Sequence, residues 1–207
     1  PTRGDRTGAG LRMMLPLVFD LTGRDVLVLG LGRIGAHKAR QLLEAGARVH
    51  VITTEALVEP PEGLASLQLR GYQPGDLEGM WFVVSATANP DVNDLVVAEA
   101  TERRVFYNVV DDLERCAFYF AALHRDGEVV VAVSSSGASP SLAQWTRNHI
   151  AATLPRGLGE VARQLRAERA ALHAAGESAE RDWSARLTDL LRELPDRCSR
   201  PLAADLP

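Results

Sequence analysis

The apolar positions of this chain fall into short runs that change period from one to the next. Asp25-Val-Leu-Val-Leu-Gly30 is almost wholly apolar between a charge and a glycine, the pattern of a strand buried on both faces. Beyond Gly30 the spacing becomes helical, with Ile34, Ala36, Ala39, Leu42 and Leu43 on one stripe that stops at Gly46. Arg48-Val-His-Val-Ile-Thr53 then alternates as a second strand and closes a β–α–β unit. Residues 54–80 are rich in Pro, Gly and Glu and leave room for one short helix or strand around Leu64–Leu69. The run Trp81 to Thr87 predicts a central strand, and Asn89-Pro90-Asp91 starts a helix with Val92, Leu95, Val96 and Ala100 inward. Val105 to Val110 predicts another strand, ending at Asp111-Asp112. Strict alternation of strands and helices gives an α/β fold with a doubly wound parallel sheet, whose ligands lie beyond the carboxyl ends of the strands. Gly30, Thr53, Thr87 and Asp111 share that edge.

After residue 113 the pattern changes. Glu128 to Val133 reads as a strand, Ser134 to Pro140 as a serine-rich loop, and the stretch through Trp145, His149 and Ala152 as a helix. From Pro155 onward the chain is helical, with packing stripes at Leu158, Val161 and Leu165, then Trp183, Leu187, Leu190 and Leu194. The expected organisation is a flexible leader at 1–13, a dinucleotide-binding domain at 14–112, a central region at 113–154, a helical domain at 155–195 and a flexible tail at 196–207.

Composition narrows the function. With 46% apolar residues the 207-residue chain buries a real core, and a net charge of −4 argues against broad binding to nucleic acid or anionic membranes. No apolar run approaches the length of a membrane span. Cys116 and Cys198 form no zinc-ligand spacing, which fits a reduced, cytoplasmic setting. The five histidines, His37, His50, His124, His149 and His173, make no ligand pair, so no metal site is expected. Lys38 is the only lysine, which excludes a Tyr-x-x-x-Lys acid–base pair; in so Arg-rich a chain it reads equally well as an ordinary solvated helix residue.

Three segments carry candidate chemistry. Gly30-Leu-Gly-Arg-Ile-Gly35 follows a buried strand and opens a helix, the context in which glycines admit a dinucleotide pyrophosphate to a helix N-terminus. Asp111 and Asp112 end a strand at the cofactor edge, where one can cap the following helix while the other faces the cleft and moves protons, with Asn108 as the neighbouring hydrogen-bonding group. Ser134 to Pro140 offers hydroxyls and backbone N–H groups to carboxylates, and equally places Ser139 as a helix cap with Pro140 at the first helical position.

Together these segments resemble the precorrin-2 dehydrogenase family, the dehydrogenase and ferrochelatase module of siroheme synthase. The likeness rests on Leu15 to Leu21, Gly30 to Arg40, Ala86 to Asn93, Asn108-Val-Val-Asp-Asp112 and Ser134 to Pro140, in order, over roughly residues 14–155. It implies NAD-dependent oxidation of precorrin-2 to sirohydrochlorin, followed in some members by insertion of ferrous iron. It also implies a Rossmann domain, a central α/β dimerisation region, a C-terminal helical domain and a homodimer. Carried over residue by residue, it places proton handling on Asp111. Cofactor contacts fall on Gly30, Gly32, Arg33, Ile34, Thr54, Glu55 and Thr87, and substrate contacts on Asn108, Ser135 and Ser136. Arg115, Arg125, Arg147 and Arg156 are candidates for a cationic rim around a substrate with eight carboxylates. The chain departs from the family at Leu31 in place of a glycine, at Gly35 in place of alanine and His37 in place of arginine, at Thr53-Thr54, and at Ser136 where a second glycine is common. The acidic residue expected at the end of the second strand arrives only at Glu55, leaving NAD against NADP open on physical grounds. Two alternatives stand beside this reading: a chelatase-only or divergent tetrapyrrole enzyme, and a non-catalytic dinucleotide sensor.

Overall fold

The computed structural model describes residues 14–178 and 182–194. The leader expected at 1–13, the tail expected at 196–207 and Cys198 lie outside them. The chain divides into two compact units, one ending at Tyr119 and one beginning at Phe120.

The first unit is a five-stranded parallel sheet of order β3-β2-β1-β4-β5. Its strands are β1 (Asp25–Leu31), β2 (Arg48–Ala56), β3 (Ser66–Leu69), β4 (Phe82–Ser85) and β5 (Phe106–Val109). Two helices accompany it, α1 (Arg33–Glu44) and α2 (Pro90–Arg103). The apolar runs do what their pattern requires: Val26 to Leu29, Val51, Ile52 and Phe82 to Val84 are all buried. Leu27, Leu29, Ile52 and Val83 form one cluster with Val96 and Ala100 of α2 and with Leu77 and Val105. On α1 the buried residues are Gly35, Ala36, Ala39 and Leu42, mostly small, which lets the helix lie close to the sheet.

The inner face of α2 differs from the expected one. Asn93, Val96, Val97 and Ala100 are buried, whereas Leu95 is 50% exposed. A polar tether sets the rotation: Ser85 Oγ donates to Asn93 Oδ1 at 2.6 Å, and Asn93 Nδ2 donates to the Thr87 carbonyl at 3.3 Å. Apolar spacing alone could not reveal that an asparagine faces inward. At the other edge of the sheet, His50 bridges Asp25 (Nε2 to Oδ1, 2.8 Å) and Ser66 (Nδ1 to Oγ, 2.9 Å), stitching together the starts of β1, β2 and β3. Lys38 is half-buried rather than solvated, so desolvation pushes its ammonium below the ordinary value, and Nζ donates to Gln41 Oε1 at 3.2 Å.

The division after Tyr119 falls later than the change of pattern at residue 113. Residues 115–117 return to β5: Val109 N–H donates to the Arg115 carbonyl at 3.3 Å, and Ala117 N–H to the Tyr107 carbonyl at 2.8 Å. Phe118 packs edge-on against Phe82, with ring centroids 5.1 Å apart.

The second unit holds a two-stranded antiparallel hairpin, β6 (Ala122–Asp126) and β7 (Val129–Val133), and the helices α3 (Pro140–Thr153), α4 (Leu158–Ala174) and α5 (Ser184–Arg192). β6 was invisible in the sequence because Ala-Leu-His-Arg-Asp has no clean alternation, and its residues are mostly half-buried on both faces. Asp126 reaches across to cap α4, accepting from the N–H groups of Gly157 at 2.8 Å and Leu158 at 2.9 Å. Those donations, Gly157 foremost, hold its carboxyl below the usual carboxylate range. The hairpin and α4 touch backbone to backbone: a Cβ on Gly159 would stand 2.6 Å from the Asp126 carbonyl oxygen. Among the described residues no helix is long and apolar enough to cross a membrane.

Candidate functional site

The carboxyl edge of the parallel sheet gathers the predicted cofactor residues of the first unit. The three glycines of the β1–α1 turn have different reasons to be glycine. Gly30 has φ +89°, and a Cβ there would meet the Ala86 carbonyl oxygen at 2.8 Å. A Cβ on Gly35 would stand 2.0 Å from the Gly30 carbonyl oxygen, so helix and strand require its absence. Gly32 is unlike both. Its φ of −86° suits any residue, and an added Cβ would meet nothing nearer than Leu57 Cδ1 at 3.9 Å. Nothing among the described residues demands glycine there, and the space in front of it is open. Gly32 is also the N-cap of α1, with no side-chain cap and no acidic residue in the first turn. An uncapped helix N-terminus with clear space before it fits the pyrophosphate of a dinucleotide. Arg33 and Ile34, in that first turn, are exposed.

The end of β2 lies beside this turn in the sheet. Thr53 is buried at 6% exposure, while Thr54 and Glu55 are exposed. The Thr53 hydroxyl accepts from Leu31 N–H at 3.2 Å and donates to the Glu55 carbonyl at 2.6 Å. On the other side, the β4–α2 turn is fixed by capping. Asn89 Oδ1 accepts from Asp91 N–H at 3.0 Å and Val92 N–H at 3.4 Å, with Pro90 at the first helical position. Thr87 Oγ1 accepts from Asn89 N–H at 3.2 Å, so this half-buried threonine helps shape the turn.

At the end of β5 the two aspartates separate in role. Asp112 Oδ1 accepts from Arg115 N–H at 3.1 Å, and its Oδ2 lies 3.1 Å from the Arg115 guanidinium, which also reaches Asp94 at 2.9 Å. Asp112 is therefore the local cap, and Arg115 is occupied within the protein. Asp111 is exposed, and its carboxylate makes no hydrogen bond or ion pair among the described residues. Its φ of +61° turns the chain sharply at the sheet edge, a conformation that aspartate tolerates better than most residues.

Asn108 is turned inward. It is 8% exposed, and its amide donates to the Phe118 carbonyl at 2.9 Å and to Cys116 Sγ at 3.3 Å. Asn108 thus anchors the 116–118 segment under the edge. Cys116 is equally internal: burial pushes its thiol up, and Sγ donates to the Asp112 carbonyl at 3.0 Å. Sequence reasoning placed Thr53 on this edge but missed the roles of Ser85 and Asn93 in organising it; for Ser85 the available signal was a small polar residue ending an apolar strand, and for Asn93, inside α2, there was none.

The serine loop belongs to the second unit. Ser135 Oγ donates to the Ser139 carbonyl at 2.9 Å and accepts from Ser139 N–H at 3.0 Å, which closes the loop on itself. Ser139 caps α3 by accepting from Leu142 N–H at 3.2 Å, as expected. Ser136 stands exposed in the left-handed region at φ +54°, where glycine would be unstrained. Of the candidate rim arginines, Arg147 donates to the Leu123 carbonyl at 2.8 Å, and its buried Nε has no partner among the described residues. Arg125 and Arg156 are exposed. Among the described residues no cluster of His, Cys, Asp and Glu could hold a metal ion.

Comparison with known proteins agrees with this geometry. A family described as putative NAD(P)-binding matches residues 17–122. The chain is 38% identical over 153 residues to the siroheme synthase of Photorhabdus laumondii subsp. laumondii, covering 72% of this chain and 33% of that protein. It is 39% identical over 163 residues to the siroheme synthase of Citrobacter koseri, covering 74% and 35% respectively. The chain thus spans about a third of the length of the curated relatives it matches. Among solved structures, SirC, precorrin-2 dehydrogenase, superposes with a TM-score of 0.63 at 22% identity, covering 87% of this chain and 88% of that one. With the glycine turn, the uncapped α1 and the β3-β2-β1-β4-β5 sheet in place, the chain belongs to the putative NAD(P)-binding family.

Proposed function

We propose that this protein is a precorrin-2 dehydrogenase that oxidises precorrin-2 to sirohydrochlorin with NAD as hydride acceptor. The observation that carries the reading is the pairing of an open Gly32 at an uncapped helix N-terminus with an unpartnered Asp111 on the same sheet edge. One strand, β4, separates their two strands, which sets β1 and β5 about 10 Å apart across the sheet. The likeness to siroheme synthases supports the substrate.

The reaction removes a hydride and a proton from the tetrapyrrole, and a bound NAD supplies acceptance of the hydride. The chain's own residues then have two tasks. Gly32, Arg33 and Ile34 offer backbone N–H groups to the pyrophosphate, with Gly30 and Thr87 shaping the walls and Thr54 and Glu55 beside the adenosine ribose. Asp111, exposed and with no hydrogen bond or ion pair among the described residues, accepts the proton. Asn108 serves by holding the segment beneath Asp111, and Ser135 and Ser136 present the second unit's loop to substrate carboxylates. The same carboxylate of Asp111 would take pyrrole protons if ferrous iron is inserted afterwards.

We place the protein as a homodimer in the cytoplasm. Val130, Leu142 and Trp145 of the second unit are 39%, 53% and 43% exposed, apolar side chains available to self-association, and Cys116 is a free thiol.

The test is anaerobic incubation with precorrin-2 and NAD, NADP or neither, followed by absorbance, and then by addition of ferrous iron. NAD-dependent formation of sirohydrochlorin is expected. Absence of oxidation with both nucleotides would overturn the proposal, and iron uptake by supplied sirohydrochlorin would then favour a chelatase.

A further inference from the structure

The β1–β2 ladder is regular from Asp25↔Arg48 to Leu29↔Ile52 and then slips, so that the next pair is Leu31↔Ala56. Two steps along β1, from 29 to 31, are matched by four along β2, from 52 to 56. The extra residues form a bulge made of Thr53, Thr54 and Glu55. A bulge of this kind re-aims side chains at a sheet edge. Here it turns Thr54 and Glu55 out to solvent while Thr53 stays buried.

One hydroxyl holds it in place. Thr53 Oγ1 accepts from Leu31 N–H at 3.2 Å and from Glu55 N–H at 3.4 Å, and donates to the Glu55 carbonyl at 2.6 Å. A threonine hydroxyl has one donor and two acceptor sites, so all its capacity is engaged. Both peptide groups of Glu55 are thereby fixed to the backbone of Leu31, the residue between Gly30 and Gly32. The bulge ties the turn facing the pyrophosphate to the residue facing the adenosine ribose.

Resting on the cofactor reading above, we infer that Thr53 is the positioning residue for dinucleotide discrimination, holding Glu55 where its carboxylate meets the ribose 2′-hydroxyl and repels a 2′-phosphate. The acidic residue expected at the strand end is not missing; the bulge delivers it two residues later. Preference for NAD then depends on a buried hydroxyl as well as on the exposed acid.

The experiment is calorimetric titration of the intact protein with NAD and with NADP, for wild type, Thr53→Val, Thr53→Ser, Glu55→Gln and the Thr53→Val/Glu55→Gln pair, each with a thermal melt. Wild type is expected to prefer NAD by about tenfold or more, the scale of one charge-assisted contact. Thr53→Val should weaken NAD by about tenfold and leave NADP binding as tight as in wild type or tighter, since the contact with the 2′-hydroxyl and the repulsion of the 2′-phosphate are lost together. Thr53→Ser should restore the wild-type ratio. Glu55→Gln changes only an exposed side chain, so it folds whatever Thr53→Val does, and it must narrow the ratio by itself. The double variant should be no worse than either single one. An unchanged ratio in Thr53→Val or Glu55→Gln, or a wild type preferring NADP, overturns the inference while leaving the dinucleotide site intact. A wild type that binds neither nucleotide overturns the cofactor reading and this inference with it.

Discussion

Gly32→Ala and Gly35→Ala make a matched pair that separates what the fold needs from what a ligand needs. At Gly35 the new methyl would lie 2.0 Å from the Gly30 carbonyl oxygen, a backbone atom that cannot rotate away. Relief requires α1 to withdraw from β1, loosening the packing of Ala36, Ala39 and Leu42. Overpacking of this sort destabilises by about 3 kcal/mol or more, against a gain of about 1 kcal/mol in helix propensity. The net loss of about 2 kcal/mol corresponds to a Tm lower by about 4–8 °C for a chain of this size. At Gly32 the methyl enters open space at an ordinary φ, so the loss of a favourable capping residue and the reduced freedom of the unfolded chain nearly cancel, leaving stability within about 1 kcal/mol of wild type. The same methyl stands where a pyrophosphate oxygen would approach the α1 N-terminus, and NAD affinity should fall by about tenfold or more. Thermal melts with calorimetric NAD titration read both quantities. Wild-type NAD affinity in Gly32→Ala would refute the reasoning, because the open space would then face no ligand. A Gly35→Ala protein as stable as wild type would refute the packing half.

Asp111→Asn should keep the fold and NAD affinity, since asparagine also tolerates φ +61°, while turnover of precorrin-2 falls by about 10²-fold; single-turnover kinetics with a parallel NAD titration checks both. Asp126→Asn should flatten the acid limb of stability. Its folded carboxyl sits below the ordinary value of about 3.9, so its contribution is complete above that pH and is lost as pH falls through the lowered value; urea melts of both proteins from pH 6 down to about pH 2 compare the slopes. Gly159→Ala forces a methyl to 2.6 Å from the Asp126 carbonyl and 2.8 Å from Gly127 Cα, and should destabilise the second unit by about 2 kcal/mol, read as earlier protease cleavage within residues 120–194.

β1 and β4 were legible because parallel strands buried on both faces read as apolar runs, and 25–30 and 81–87 hold such runs, while the edge strand β5 showed as the largely apolar run 105–110 although Phe106 is 43% exposed. The glycine turn was legible for the same kind of reason: Gly30 and Gly35 each answer a distinct steric demand, and Gly32 leaves open space at the helix N-terminus. The features that escaped all depend on polar groups turned inward. Asn93 on α2 is buried while Leu95 is half exposed, and Asn108 is buried with its amide donating to Cys116 and Phe118. Hydropathy spacing scores both as surface positions, and only the partner atoms on Ser85, Thr87, Cys116 and Phe118 show otherwise. β6 escaped because a half-covered hairpin imposes no strict alternation on its strand.

The division between Asp111 and Asp112 shows how a short motif can serve both shape and chemistry. A lone aspartate at a strand end must choose between capping the next turn and facing a ligand. Here Asp112 takes the first role through Arg115, whose guanidinium also holds Asp94 of α2, so the turn is tied to the neighbouring helix. That anchoring is what holds Asp111 at φ +61°, a backbone state that costs about 1–2 kcal/mol in an ordinary residue and persists only where its surroundings enforce it. Below, Asn108 and Cys116 fix the returning segment through the Phe118 and Asp112 carbonyls. The carboxylate left over is the one with no partner, held by backbone geometry at the edge where the open glycine turn also lies. A proton acceptor needs that combination of fixed position and uncommitted lone pairs, which is why the proposed chemistry rests on Asp111 and not on the aspartate beside it.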